Sequence, residues 1–125
     1  MKVRVYYHHT DCGGVVYYAN YLKFFEEART EFFENKGISV RELIKQGTGF
    51  VVARQEIDYE LPVFYGDTLE ITARLTGTSK VKLEFDYDAR NQEGKTVCRA
   101  KTVLVCVDND LKPKSMPEEI RKKII

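Results

Sequence analysis

The sequence predicts an α+β domain in which one helix is inserted between a first strand and four more that complete a five-stranded antiparallel sheet. Three observations predict it. From Asn20 the apolar positions Tyr21, Phe24, Phe25, Ala28 and Phe32 recur at helical spacing. Beyond Gly47 the period changes to two, with Leu69, Ile71, Ala73 and Leu75 alternating in one segment and Val81, Leu83, Phe85, Tyr87 and Ala89 in another. Turn sequences containing glycine or asparagine separate those segments.

Taken in order, Lys2 to His8 alternates around Val3, Val5 and Tyr7 and reads as the first strand. A glycine-bearing loop follows, then a helix over about Ala19 to Lys36, with Lys23, Glu27, Arg29, Glu31 and Glu34 on its remaining faces. Gly37 supplies the left-handed conformation that stops a helix, after Lys36 has set a positive charge near its negative end. Ser39 with Glu42 three positions later is a capping-box signature for a short connecting helix, ended by Gly47. Strands are expected at Phe50 to Tyr59, Thr68 to Thr76, Val81 to Ala89 and Val97 to Val107. Thr76-Gly77-Thr78-Ser79 and Asn91-Gln92-Glu93-Gly94 are the expected hairpin turns. The apolar run Val103-Leu104-Val105-Cys106-Val107 implies burial on both faces, one under the helix and the other under a second subunit. A connector from Asp108 and a short basic helix end the chain, the basic residues reading as solvated surface.

Composition sets the limits on function. The 125 residues fit one domain, 1–125, large enough for a core without metal or disulfide support. Twenty basic against nineteen acidic residues leave a net charge of +1, which argues against nucleic acid as a partner. No apolar run after Met1 reads as a signal peptide and none approaches a membrane span, so the expected location is cytoplasmic. Cys12, Cys98 and Cys106 lack CxxC spacing and read as reduced thiols, the latter two packed in the sheet.

The chemistry concentrates in Tyr7-His8-His9-Thr10-Asp11-Cys12-Gly13-Gly14-Val15-Val16-Tyr17-Tyr18-Ala19-Asn20-Tyr21. One acid and two glycines precede a helix whose first amides lack intrahelical partners, so an acyl oxygen can be held there while Asp11 acts nearby. Asp11 is equally suited to cap the helix or form a turn. His8, His9, Asp11 and Cys12 include metal-binding types, but neighbours on a strand point to opposite faces, so no metal and no cofactor are expected. A Cys12–His9 nucleophile pair would need thiolate activation and a specific contact across the loop.

The run Val5 to Tyr21, continued by Phe24-Phe25-Glu26-Glu27-Ala28-Arg29-Thr30-Glu31, resembles the hotdog-fold acyl-CoA thioesterases, in the 4-hydroxybenzoyl-CoA and Tol-Pal-associated branch. The likeness extends through Phe50-Val51-Val52, Leu61-Pro62, Gly66-Asp67 and Val103 to Asp108. It implies a hotdog fold, a five-stranded antiparallel sheet wrapped around a long central helix. It also implies a homodimer or homotetramer sharing an extended sheet, and metal-free hydrolysis of acyl-CoA, with acyl carrier protein thioesters as an alternative substrate. By resemblance Asp11 is the catalytic carboxylate, and backbone amides near Gly14, Val15, Val16, Tyr17 and Tyr18 polarise the thioester carbonyl. Two positions depart from the Tol-Pal-associated pattern: His9 stands where a second acid is common, and Tyr18 where a histidine is. The hydroxybenzoyl type carries tyrosine at the latter place.

The mechanism expected from these residues is acyl transfer, with Asp11 as nucleophile or general base. Gly14 would let the thioester approach the backbone, and Tyr18 would orient the acyl group or water. Thr78, Ser79 and Lys80 are the candidates for contacting the CoA phosphates, although turn formation alone explains the first two. Glu26 and Glu27 read as structural, Lys23 and Glu27 having the spacing of a surface pair. A dehydratase or hydratase, or a noncatalytic thioester binder, are the competing functions.

Overall fold

The computed structural model describes residues 1–124. Its elements are β1 (Lys2–Arg4), α1 (Asn20–Asn35), α2 (Val40–Lys45), β2 (Gly49–Tyr59), β3 (Thr68–Thr78), β4 (Lys82–Arg90), β5 (Thr96–Val107) and α3 (Glu118–Ile124). The five strands form one antiparallel sheet in the order β1-β3-β4-β5-β2, so the expected α+β class and sheet are present, with β1 and β2 at its edges.

The first strand is shorter than its alternation suggests. After Arg4 the chain leaves the ladder, and Tyr7–His9 forms a single 3-10 turn. Local side chains supply the partners that a strand neighbour would have given: His9 Nδ1 accepts from the Tyr6 amide at 2.9 Å, and the Thr10 hydroxyl donates to the Tyr7 carbonyl at 2.7 Å.

Helix α1 buries Tyr21, Phe24, Phe25, Ala28 and Phe33, while Phe32 is only half-buried. Phe25 stacks on Tyr87 at a centroid separation of 4.8 Å, and Phe33 lies against Phe50 and Phe85 at 5.6 and 5.7 Å. A layer of aromatic rings thus joins the helix to β2 and β4. Its C-terminus closes as a Schellman motif: Gly37, at φ +76°, donates to Glu34 and Ile38 donates to Phe33. In place of a long central helix enclosed by the sheet, the chain shows 16 residues laid on one face, with Leu22, Glu26 and Glu27 exposed. A sheet with two open edges does not close around its helix.

Ser39 caps α2 by accepting from the Glu42 amide at 3.2 Å. The first hairpin turn is displaced from its expected place. Gly77 and Thr78 remain in β3 at a bulge after Leu75, and the chain reverses over residues 79–81. A Cβ at Gly77 would meet the carboxylate end of the exposed Glu84 side chain, which would have to swing aside. Around Asn91 to Gly94 the expected turn forms, with Asn91 Oδ1 accepting from the Glu93 and Lys95 amides. Along β5, Leu104, Cys106 and Val107 are buried, whereas Val103 and Val105 are half-buried on the face away from α1. Two-sided burial of that run is therefore partial in one chain. The rest of the outer face is charged, with Asp88 paired to Arg74 at 3.1 Å and Arg90 at 3.8 Å.

Candidate active site

Asp11 sits at the start of a tight turn that leads back toward α1. Its amide donates to the Val15 carbonyl, its carbonyl accepts from Gly14, and its Oδ1 accepts from the Gly13 amide at 2.8 Å. The carboxylate is a turn former and not a helix cap. Its other oxygen has no hydrogen bond among the described residues, and the side chain is exposed.

The two glycines serve this turn differently. Gly14 holds φ +81° with open space where a Cβ would go, so conformation accounts for it. At Gly13 a Cβ would lie 3.2 Å from Asp11 Oδ1, so here the missing side chain leaves room for the carboxylate.

Beyond the turn, the amides of Val16 and Tyr17 donate to the Val63 and His9 carbonyls. Tyr17 in turn accepts from the Asn20 amide at 2.9 Å, which extends the helical winding back to Tyr18. The amides of Val15, Tyr18 and Ala19 have no partner among the described residues, and Ala19, at the head of α1, offers no side-chain acceptor for its first turn. Among the Gly14 to Tyr18 donors expected from the resemblance, Val15 and Tyr18 are therefore free, while Gly14, Val16 and Tyr17 are engaged.

Asp11, Val15, Val16 and Tyr18 line one open cleft of about 340 Å³, together with Tyr21, Tyr59, Glu60, Leu61, Pro62 and Val63. The second group comes from α1, the end of β2 and the loop after it. Sequence alone marks none of this group as a site residue, because strand and core patterns explain them fully; Leu61-Pro62 enters only as part of the resemblance. Burial pushes the Tyr21 hydroxyl well above its ordinary pKa, and the hydrogen bond to Tyr18 raises that of Tyr17, so these phenols stay protonated at neutral pH.

His8 and His9 do not point to opposite faces, since they belong to the 3-10 turn and their ring centroids are 4.0 Å apart. His9 is nevertheless committed: its Nδ1 holds the Tyr6 amide, and burial, His8 and Lys23 lower its pKa. No group of three or more metal-binding side chains occurs among the described residues. Cys12 is exposed, whereas Cys98 and Cys106 are buried, and burial pushes the Cys98 thiol up to about 12.

Thr78, Ser79 and Lys80 are not brought to Asp11 within the chain. The cleft lies at the sheet end where Tyr59, Cys98, Ala89 and Ile71 are in register, and Thr78 is seven residues farther along β3, about 23 Å away. The Ser79 hydroxyl accepts from the Lys82 amide, a contact that builds the hairpin, and the Lys80 carbonyl accepts from the Met116 amide, which ties the C-terminal connector to the turn.

Residues 5–124 match the model of the thioesterase-like superfamily. The acyl-CoA thioester hydrolase YbgC of Escherichia coli O157:H7 is 38% identical over 119 residues, covering 94% of this chain and 89% of that protein. A 1,4-dihydroxy-2-naphthoyl-CoA thioesterase from Synechocystis superimposes with a TM-score of 0.91 at 25% identity, covering 99% of this chain and 93% of the other. A thioesterase from Thermus thermophilus, solved with coenzyme A and zinc, does so with a TM-score of 0.85 at 29% identity, covering 99% and 89%. An acid on a glycine turn, unpaired amides at a helix head, the five-stranded antiparallel sheet and these matches lead to one conclusion: the chain belongs to the thioesterase-like superfamily, with the hotdog fold.

Proposed function

We propose that the protein hydrolyses acyl-CoA thioesters, with Asp11 delivering the oxygen and the Tyr18 amide polarising the thioester carbonyl. The observation that carries this reading is the joint placement of Asp11 and Tyr18 on one cleft, just ahead of a helix, where the Tyr18 and Ala19 amides lack any acceptor among the described residues. A thioester has a good leaving group, so it needs a placed oxygen and a counterweight to the charge growing on its carbonyl oxygen. In the general-base form, water adds to the carbonyl carbon as its proton passes to Asp11, and collapse of the tetrahedral intermediate expels CoA thiolate, which takes up a proton. In the nucleophilic form, Asp11 displaces the thiolate to give an anhydride that water then opens. Tyr18 presents its ring to the same cleft and would orient the acyl group or the water.

The oligomer forms, in this reading, through the edge strand β2. It is 11 residues long, and its Val51 and Val52 side chains are 37% and 49% exposed, an edge that soluble proteins normally cover. Antiparallel pairing of two β2 strands reverses direction, so the turn after β3 in the partner comes to the same end of the joint sheet as Asp11. Thr78, Ser79 and Lys80 would then meet the CoA phosphates across the subunit boundary, and the half-buried Val103 and Val105 would remain for a dimer-to-dimer contact.

The test is thiol release across a panel of aromatic, short and long acyl-CoA thioesters and acyl carrier protein thioesters. Asp11→Asn should lower turnover about 100- to 10,000-fold while leaving cooperative unfolding intact. Near-normal turnover by that variant removes Asp11 from the mechanism. Binding without thiol release favours a noncatalytic binder, and water addition to an enoyl thioester favours a hydratase.

A further inference from the structure

Tyr59, the last residue of β2, faces the cleft that holds Asp11 and Tyr18. Its hydroxyl donates to the Tyr18 carbonyl at 3.0 Å, across 41 positions of sequence. Its ring meets those of Tyr18 and Tyr21 edge-on, at centroid separations of 6.3 and 5.6 Å. The end of a strand is thereby tied to the peptide at the head of α1.

Peptide geometry gives that tie its chemical weight. The Tyr18 carbonyl and the Ala19 amide belong to one planar trans unit, so holding the oxygen fixes the plane of that peptide and anchors Tyr18, whose own amide is the proposed donor. Donation to the oxygen also polarises the unit and strengthens its N–H as a donor. Left uncovered, the Tyr18 oxygen would be a bare partial negative charge on the cleft, opposing the charge that grows on a thioester oxygen. The hydroxyl neutralises that opposition before substrate arrives.

We infer that Tyr59 is a positioning residue for thioester hydrolysis: by holding the Tyr18 carbonyl it fixes the main chain at residue 18, whose own amide is the donor assigned to the substrate carbonyl. The inference rests on the hydrolase reading above. Desolvation, followed by the neighbouring Cys98 and Tyr18, raises the Tyr59 pKa, so the phenol remains a donor at neutral pH.

Tyr59→Phe keeps the ring and deletes the donor. The expected result is a fall of about tenfold in kcat for acyl-CoA hydrolysis, between the loss of one hydrogen bond and a misaimed amide, with little change in KM. A second readout separates aim from stability. In Asp11→Asn protein, infrared difference spectroscopy should show the carbonyl stretch of bound acyl-CoA lowered from its free value, and adding Tyr59→Phe should return it toward that value. Unchanged kcat with an unchanged stretch overturns the inference and leaves the hydrolase reading standing. A variant that loses kcat and thermal stability together while the stretch stays lowered overturns it as well, making Tyr59 structural only. Absence of thiol release by the unsubstituted chain removes the hydrolase reading and this inference with it.

Discussion

Gly13 and Gly14 are neighbours, yet the same added methyl group is predicted to act on them in opposite ways. At Gly13 an alanine Cβ would lie 3.2 Å from Asp11 Oδ1, so the carboxylate must give way by a few tenths of an ångström. The backbone there is outside the positive-φ region, so alanine restricts the unfolded chain and raises stability by about 0.4 to 1 kcal/mol. The same shift loosens the 2.8 Å bond from the Gly13 amide. Misplacing a reacting group by about 1 Å costs about 100-fold, so a few tenths should lower kcat/KM by about 3- to 10-fold. At Gly14, φ is +81° with free space around it, and alanine should cost about 1 to 2 kcal/mol with kcat/KM of the folded protein unchanged. For a chain of this length that is roughly 3 to 8 °C in the midpoint. Thermal unfolding and thiol release on both variants decide the matter. Stability and activity moving together in Gly13→Ala would refute the reasoning about the carboxylate. Lost turnover at full stability in Gly14→Ala would show that the thioester does pass close to that backbone.

Two further outcomes follow from the same geometry. His9 is held below its ordinary pKa, so its contribution to stability is whole above about pH 6.5 and disappears as the pH falls through the lower folded value. Urea midpoints between pH 5 and 8 should therefore decline more steeply on acidification in the parent than in His9→Phe, and equal slopes would sever the link to this ring. Val52→Lys places a charge on the exposed β2 edge and should convert the assembly to monomer in sedimentation velocity, while raising KM for acyl-CoA more than for a thioester lacking the nucleotide. A parent that already sediments as a monomer would dispose of the edge-pairing scheme.

Elements whose side chains announce their own environment are legible in the sequence. The apolar stripe of α1, the alternation of β3 and β4, the Ser39 cap and the Gly37 stop all form where spacing puts them. What sequence obscures is decided by contacts it does not display. Val5 and Tyr7 continue a strand pattern, but His9 and Thr10 offer the backbone closer partners and wind the chain into a turn. Phe33 outcompetes Phe32 for the core because it lies between Phe50 and Phe85, and Gly77 serves a bulge instead of a turn because the β3–β4 ladder runs on past it, pairing Gly77 with Glu84 and Thr78 with Leu83. At the cleft, the pattern points to Asp11 and Tyr18. Tyr59 looks like one more half-buried strand aromatic, since its bond to Tyr18 spans 41 residues and leaves no local trace.

The chain contains no tryptophan and eight tyrosines, three of which, Tyr18, Tyr21 and Tyr59, crowd the cleft. Its ultraviolet emission thus arises chiefly from phenol rings, and a large share of those rings stands where a ligand would enter. The protein carries a built-in optical probe at the cleft proposed as its reaction centre, so occupancy can be followed there without a label on either the protein or the acyl group.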